Sequence, residues 1–218
     1  ENPYADPDKA KSTAGNSPFV EAGYNAQVRS SVLLKNANEI LPFSSGKKIY
    51  VDGIAKEAAA RFGTVVDDAK GADLAIIRVA SPATTYPYGG AFAPGGMGGR
   101  GGTSGPAAPP PTSPYGITLA YGNAANWNVL ESIKKLVATG KPVVVIVNMD
   151  KPVILTEFIE SVAAVFGTFG SGDSAVLDLV FGKASPSGKL PFDLPSDMPS
   201  VMAQAADVPF DMDDPLFK

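Results

Sequence analysis

The side chains that could carry acid–base chemistry in this chain are limited to Asp, Glu, Lys and Tyr, because the chain contains no histidine and no cysteine. Their absence excludes a Ser-His-Asp triad, a histidine general base and a cysteine nucleophile. It also excludes disulfide bonds and zinc sites built from histidine or thiolate ligands. Any general acid or base in this chain must therefore be a carboxyl, an amine or a phenol.

The most unusual stretch covers residues 81–116 and reads SPATTYPYGGAFAPGGMGGRGGTSGPAAPPPTSPYG. No carboxylate occurs in it, or anywhere between Asp73 and Glu131. Three interpretations are a disordered linker, a phosphate-binding loop and a loop that carries the chemistry. The GGMGGRGG run lacks the Walker Lys-Ser/Thr pair, and prolines follow where such a loop would open a helix. The pattern therefore argues against nucleotide binding.

Predicted strands bracket this stretch. Four runs rich in apolar and β-branched residues are predicted as strands, at 47–54, 73–80, 142–150 and 161–168. They alternate with predicted helices, which implies parallel βαβ units in an α/β sheet. Ligands on such sheets bind beyond the carboxyl ends of the strands. Those ends are predicted at residues 52–53, 80–88, 148–151 and 167–173.

The predicted helices follow from apolar spacing and from the residues that flank them. They lie at 19–34, 56–62, 127–138, 154–159 and 173–181. Gly140 lies just past the third helix, where a C-cap glycine is expected, and Ser171 or Asp173 is predicted to cap the last helix. Residues 1–18 are polar and are predicted to form a linker. A single domain would then cover residues 19–218, with a Gly/Pro-rich insertion at 89–116.

Composition restricts the class of partner. The chain has 18 Lys+Arg against 22 Asp+Glu, a net charge of −4, and no cluster of basic residues, so we expect no nucleic-acid partner. No apolar run approaches the ~20 residues of a membrane-spanning helix, so we expect no membrane insertion. The acidic pairs at 67–68 and 211–214 lack the spacing of a calcium loop. We predict no metal site and no cofactor.

Five motifs occur in order along the chain. They are ENPYADP at the start, SSVLLKNANEILPF at 30–43, VVVIVNMDKPVIL at 143–155, DSAVLDLVFGKASPSGKLPFDLPSDMPSV at 173–201 and AADVPFDMDDPLF at 205–217. Together they resemble the second domain of family 3 glycoside hydrolases. In that domain a VLLKN run precedes LP, and a helix ending in FG precedes a P-S-G-K-L-P turn. The ordered set is more specific than any motif alone.

The resemblance implies a three-layer α/β sandwich with a mostly parallel, flavodoxin-like sheet. Members of the family typically join this domain to a TIM-like barrel, which supplies the aspartate nucleophile of a retaining mechanism. Such a barrel needs roughly 200 residues or more of its own, and this chain contains none. We therefore expect the chain to be an isolated domain, a processed product or one chain of a split enzyme, and to be inactive alone.

The same resemblance implies where an acid/base residue should lie. In many members the second domain supplies a glutamate from the loop that corresponds here to residues 81–116. Because that loop holds no carboxylate, the chain departs from the pattern. Glu57 and Glu131 are the alternative candidates, and each is better explained as a surface charge. The catalytic residues therefore stay unassigned.

A sugar pocket is implied at this strand end. Aromatic faces stack on sugar rings, and hydroxyl and charged groups fix their orientation. The predicted substrate-binding residues are Arg78, Thr84, Thr85, Tyr86, Tyr88 and Asp150, with Tyr115 as a further candidate. Two alternatives stay open: Arg78 could pair with a structural carboxylate such as Asp150, and the tyrosines at 86 and 88 could simply anchor the loop.

We therefore expect the second domain of a β-glucosidase-like enzyme, which contributes pocket loops to the hydrolysis of β-glucosides. Its partners would be a carbohydrate substrate and a catalytic barrel domain or chain. The alternative is a non-catalytic module for carbohydrate binding or assembly, which the missing carboxylate favours. A free flavodoxin-like nucleotide binder is a third interpretation. Since many relatives are periplasmic or secreted, we expect the same location for this chain.

Overall fold

The computed structural model describes residues 6–83, 118–205, 208 and 211–217 of the chain. The α-helices within these ranges are α1 (Pro7–Thr13), α2 (Ser17–Ser30), α3 (Lys56–Ala59), α4 (Asn128–Val137), α5 (Asp173–Val180) and α6 (Met198–Ala203). The strands are β1 (Val32–Asn36), β2 (Lys47–Asp52), β3 (Gly63–Val65), β4 (Leu74–Ala80), β5 (Val143–Asn148), β6 (Ala164–Thr168), β7 (Leu194–Pro195) and β8 (Pro215–Phe217). The alternation of strands and helices confirms the predicted α/β class.

Six of these strands form one mostly parallel sheet in the order β1-β6-β5-β4-β2-β3. Every neighbouring pair is parallel except β1 with β6, which is antiparallel. Counted from β2, the parallel strands follow the order 2-1-3-4-5, which is the flavodoxin-like order. The strands β7 and β8 form a separate antiparallel pair. The predicted sandwich is thereby confirmed, with an antiparallel strand added at one edge.

Two apolar cores cover the two faces of this sheet. Successive side chains of a strand point to opposite faces, so alternate residues of the central strands enter different cores. The first core packs against α2, α3 and α5, and its strand residues include Ile49, Ile76, Val144, Ile146 and Phe166. The second core packs against α4, and its members include Ile77, Val79, Val145, Val147 and Ile133. Burial on both faces explains why β4, β5 and β6 read as nearly continuous apolar runs.

The predicted helix at 19–34 is wrong in its last four residues. The α-helix ends at Ser30, and the following residues form β1. The Ser31 hydroxyl donates to the carbonyl oxygen of Gln27 at 2.9 Å, and Ser31 itself takes an extended conformation. The backbone groups beyond Ser31 then pair with the open edge of β6. Pairing with a distant strand overrides the local helical spacing, because it satisfies a full row of backbone hydrogen bonds.

The predicted helix at 154–159 is also absent. Turns occupy this region, and a short 3-10 helix follows at Ile159–Ser161. The N–H of Ile154 donates to the carbonyl oxygen of Leu119 at 2.9 Å, and a single α-helical bond, from the N–H of Ile159 to the carbonyl oxygen of Leu155 at 2.8 Å, closes one turn. Consecutive buried residues, from Val153 to Leu155, also leave no polar face for a surface helix.

Several short elements were not predicted, and two of them are α1 and β3. Within the segment predicted as a linker, α1 begins at Pro7, where the Asp6 side chain accepts hydrogen bonds from the N–H groups of Asp8 and Lys9, and it buries none of its residues. The strand β3 has only three residues and an intermediate or exposed burial pattern. Because neither element buries an apolar face, neither has a periodic signal in the sequence.

The motifs at 30–43 and 173–201 pack against each other. The N–H of Phe43 donates to the carbonyl oxygen of Val180 at 3.0 Å, and the N–H of Gly188 donates to that of Ser31 at 3.2 Å. A Cβ atom at Gly182 would lie 2.6 Å from the Cβ of Pro42. The FG and P-S-G-K-L-P signatures therefore join α5 to the junction of α2 and β1, and their glycines are required by close packing.

This close packing predicts that Gly188→Ala destabilises the domain. Its Cβ would meet the carbonyl oxygens of Ser31 and Ser30 at 2.6 and 2.7 Å, so we expect a loss of about 1–3 kcal/mol in the free energy of unfolding. Gly23→Ala is the matched control, because Gly23 lies inside α2 with open space around it, and should gain about 0.5–1 kcal/mol. Urea denaturation measures both, and equal midpoints would contradict the assignment.

Candidate functional site

A cleft of about 440 Å³ lies at the carboxyl edge of the main sheet. The chain leaves β2 toward β3 on one side and leaves β4 toward β5 on the other, so the strand order reverses between β2 and β4. Open α/β sheets bind ligands at such a reversal. The residues that line the cleft are Gly53, Arg78, Val79, Ala80, Asn148, Gly170 and Ser171. They come from four of the strand ends that the sequence predicts.

Gly53 allows the loop after β2 to lie directly on β4. Its φ of +68° belongs to the left-handed region, which L side chains rarely adopt. A Cβ atom there would lie only 2.6 Å from the carbonyl oxygen of Arg78. Both the backbone conformation and the close approach require glycine at the cleft wall.

An ion pair between Arg78 and Asp173 connects the two sides of the cleft. The Nη1 atom of Arg78 lies 2.5 Å from Oδ1 of Asp173, and the two side chains are 21% and 25% exposed. The second oxygen, Oδ2, accepts a hydrogen bond from the N–H of Ala55 at 2.9 Å. Asp173 therefore joins the start of α5 to β4 and to the loop that follows β2.

This arrangement corrects two predictions. The carboxylate beside Arg78 is Asp173, whereas Asp150 is exposed on the neighbouring loop. Neither Ser171 nor Asp173 caps α5, because the N-cap residue is Gly172 and makes no side-chain cap bond. The sequence could not reveal this pair, because its members lie 95 positions apart and come together only through the sheet order.

Ser81 fixes the loop after β5 against the end of β4. Its hydroxyl donates to the carbonyl oxygen of Asn148 and accepts from the N–H of Asp150, both at 3.1 Å. The Asn148 side chain in turn accepts from the N–H of Gly170 at 2.7 Å. Beside them, burial lowers the pKa of the Lys151 amine, an effect that the charge of Asp150 opposes. The polar groups at this edge are thus held by one another.

Asn126 fixes residues 81–83, which follow the end of β4. Its Oδ1 atom accepts from the N–H of Ala83 at 2.7 Å, and its Nδ2 atom donates to the carbonyl oxygen of Ser81 at 3.1 Å. The carbonyl oxygen of Ala83 also accepts from the N–H of Ala125 at 3.0 Å. Residues 81–83 therefore have a fixed path along the cleft.

Tyr121 and Glu157 hold the chain where it returns. The Tyr121 hydroxyl donates to the carbonyl oxygen of Ala80 at 2.8 Å from a fully buried position. The Glu157 carboxylate accepts from the N–H groups of Tyr121 and Gly122 at 2.6 and 2.8 Å. Burial raises the pKa of Tyr121, and the charges of Glu157 and Asp150 raise it further. Tyr121 thus acts as a permanent hydrogen-bond donor.

Four of the described carboxylates near this edge are already hydrogen-bonded or lie away from the cleft. Both oxygens of Asp173 and both oxygens of Glu157 already accept hydrogen bonds. Glu57 is exposed on α3, and Glu131 forms a surface ion pair with Lys134 at 3.1 Å. Among the described residues, the cleft lining itself contains no Asp or Glu. The cleft lining therefore offers binding groups to a ligand and no carboxyl group, whereas Asp52 and Asp150 lie exposed at the neighbouring strand ends.

The model of the glycosyl hydrolase family 3 C-terminal domain matches residues 50–217 of this chain. The chain belongs to this family. The resemblance inferred from the five sequence motifs is thereby confirmed. The P-S-G-K-L-P turn and the cleft at the strand ends therefore belong to a family 3 C-terminal domain.

Curated relatives that carry this domain are longer proteins. The probable beta-glucosidase C of Aspergillus flavus is 34% identical over 222 residues, which cover 100% of this chain and 31% of the relative. A periplasmic beta-glucosidase/beta-xylosidase of Dickeya chrysanthemi is 32% identical over 220 residues, which cover 100% of this chain and 30% of that protein. The chain thus spans about a third of the length of these relatives.

Solved structures share the fold at low sequence identity. A β-glucosidase of Listeria innocua in complex with isofagomine superposes with a TM-score of 0.65 and 17% identity, over 96% of this chain and 34% of that one. The β-glucosidase 3B of Thermotoga neapolitana in complex with glucose gives 0.60 and 16%, over 87% and 33%. In both cases the shared region is the α/β sandwich described above.

The predicted site residues of this family 3 domain fall into two groups. Arg78 lines the cleft, and Asp150 lies on the loop beyond β5, where its backbone binds Ser81. The other candidates, Thr84, Thr85, Tyr86, Tyr88 and Tyr115, lie outside the described residues. Sequence reasoning missed Asn126 and Glu157, because single polar residues beside apolar runs carry no pattern that distinguishes them from surface groups.

The central ion pair predicts a stability effect. Asp173→Asn removes the negative charge beside the largely buried Arg78, so we expect the free energy of unfolding to fall by about 1.5–3 kcal/mol. Glu131→Gln is the matched control, because its ion pair with Lys134 lies on the surface and should contribute less than about 0.5 kcal/mol. Urea denaturation of both variants at low salt gives the comparison, and similar losses would refute a structural role for Asp173.

The raised pKa of Tyr121 predicts a pH dependence. Its stabilising effect is complete below the ordinary tyrosine pKa of 10.0 and is lost as the pH rises above that value. The free energy of unfolding should therefore fall by up to about 1.4 kcal/mol per pH unit above pH 10. Tyr121→Phe should reduce this slope, because it removes the buried phenol. Urea denaturation between pH 8 and 11 tests this, and an unaltered slope in Tyr121→Phe would reject it.

Proposed function

We propose that this domain forms one wall of the substrate pocket of a β-glucosidase-like glycoside hydrolase. The observation that carries the proposal is the cleft at the reversal point of the sheet, in a domain whose family match covers residues 50–217. The β-glucosidase names of longer relatives support the substrate class. The hydrolysis itself would require a catalytic barrel domain in addition to this α/β domain.

The proposed role of the cleft is substrate positioning. Arg78 and Asp150 would contact sugar hydroxyls, together with Thr84, Thr85, Tyr86 and Tyr88 of the adjoining segment. Polar groups that are fixed before the substrate arrives lower the entropic cost of orienting it. The Ser81, Asn126 and Tyr121 contacts supply this rigidity at the end of β4.

The acid and the nucleophile would both come from outside the described cleft. A retaining mechanism needs two carboxyl groups about 5–5.5 Å apart across the glycosidic bond. Since each oxygen of Asp173 and Glu157 is already hydrogen-bonded, neither carboxylate is available to protonate a leaving group. We therefore assign the acid and the nucleophile to the barrel domain and a binding surface to this chain.

A location outside the cytoplasm belongs to the same proposal. One relative bears the name of a periplasmic enzyme, and a chain without cysteine is compatible with an oxidising compartment. No helix in the described ranges has the length and apolar character needed to cross a membrane. The loop without a carboxylate fits the alternative of a non-catalytic binding or assembly module, whereas the β-glucosidase names of the longer relatives support hydrolysis.

Reconstitution tests the function. The chain is combined with a family 3 barrel, and release of the aryl group from an aryl β-glucoside is measured. We expect activity only when both parts are present, because the nucleophile and this wall of the pocket lie on different domains. Failure of every barrel pairing to hydrolyse the substrate would overturn the proposal.

Two substitutions control the assignment of the acid. Glu57→Gln and Glu131→Gln should leave kcat unchanged, since both side chains lie on helix surfaces and outside the cleft lining. A large fall in kcat for either variant, with its folded structure retained, would show that this glutamate takes part in catalysis and would contradict the assignment.

A further inference from the structure

Arg78 carries two donor groups that have no acceptor. Its Nη1 atom is bound to Asp173, whereas Nε and Nη2 are buried and make no hydrogen bond within the described part of the chain. A buried donor without an acceptor costs free energy, which is why such groups are rare in folded proteins. A ligand that brings acceptor oxygens to this side of the guanidinium recovers that free energy.

The two unpaired atoms form one edge of the planar guanidinium. Two parallel N–H groups on such an edge match a pair of neighbouring oxygen atoms, and a lysine amine cannot reproduce this geometry. Arg78 is one of the residues that line the cleft, beside Gly53 and Gly170, and its side chain is 21% exposed. The volume of about 440 Å³ lies within the range of small-molecule sites.

A carboxylate and a pair of adjacent hydroxyls both offer two neighbouring oxygens, and the charges around the cleft distinguish between them. A carboxylate would add a negative charge where Asp173 already compensates Arg78, and Asp52 and Asp150 lie exposed at the same strand ends. An uncompensated charge in a partly buried site is unfavourable. Adjacent hydroxyls accept the same two hydrogen bonds and add no net charge. The electrostatics of the cleft therefore favours a neutral polyhydroxylated ligand.

We infer that the Nε–Nη2 edge of Arg78 binds two adjacent hydroxyl oxygens of a neutral sugar in this cleft. The inference rests on the proposed function for the ligand class and adds the atoms that select it. The ion pair with Asp173 contributes to binding by orienting the guanidinium. It uses only the Nη1 atom, so Nε and Nη2 have no acceptor among the described residues.

Titration of the ¹⁵N-labelled chain with glucose tests the inference. The Nε–Hε resonance of Arg78 and the amide resonances of Gly53 and Gly170 should shift together and saturate. Arg78→Lys keeps a positive charge for Asp173 but lacks the planar edge, so its affinity for glucose should fall about tenfold or more. Arg29→Lys is the matched control on the exposed surface of α2 and should bind as the unaltered chain does.

Three results would overturn the inference: no shift at the Arg78 side chain, equal affinity in Arg78→Lys, or tighter binding of glucuronate than of glucose. If Arg78→Lys does not fold, the side-chain resonance of the unaltered chain still decides. These measurements need no barrel. Their failure therefore leaves the barrel-dependent hydrolysis standing, whereas binding without hydrolysis would reject only the proposed function.

Discussion

The ion pair between Arg78 and Asp173 is the interaction on which the cleft depends. It joins β4 to the first turn of α5, and through the N–H of Ala55 it also holds the loop after β2. These segments come from distant parts of the sequence and meet only at the reversal of the strand order. Gly53 makes their meeting possible, because any larger residue would collide with the backbone of Arg78. One charge pair and one glycine thus set the shape of the site.

The sheet supplies the rigidity that this pair requires. Cores on both faces bury the central strands along almost their whole length, so polar groups are concentrated where the strands end. The signature turn that identifies the family has a different task. Its glycines pack against Pro42 and Ser31, and none of them lines the cleft. The residues that identify the family therefore serve packing, whereas the proposed ligand contacts come from a separate set of polar residues.

The apolar strands and the helix α4 could be predicted from the sequence because their signals are local. Val143 to Asn148 is continuously apolar until its last residue, and α4 carries a clear amphipathic pattern. The strand β1 could not be predicted, because its partner β6 lies more than a hundred residues away and offers backbone bonds that local spacing does not reveal. The same reason hides the Arg78–Asp173 pair, whereas the strand ends that hold both residues were predicted from the α/β pattern.

The contacts of Tyr121 with Ala80 and of Asn126 with Ala83 have a consequence for how this domain can diversify. These contacts hold the described residues just before position 84 next to the described residues that follow position 117. The entropic cost of a longer connection grows only slowly, by about 0.6 kcal/mol for each doubling of its length. Adding or removing sequence between these two fixed ends should therefore change the free energy of unfolding little and leave the cleft wall in place. Natural variation can thus change the length of sequence at this position while the described scaffold stays the same.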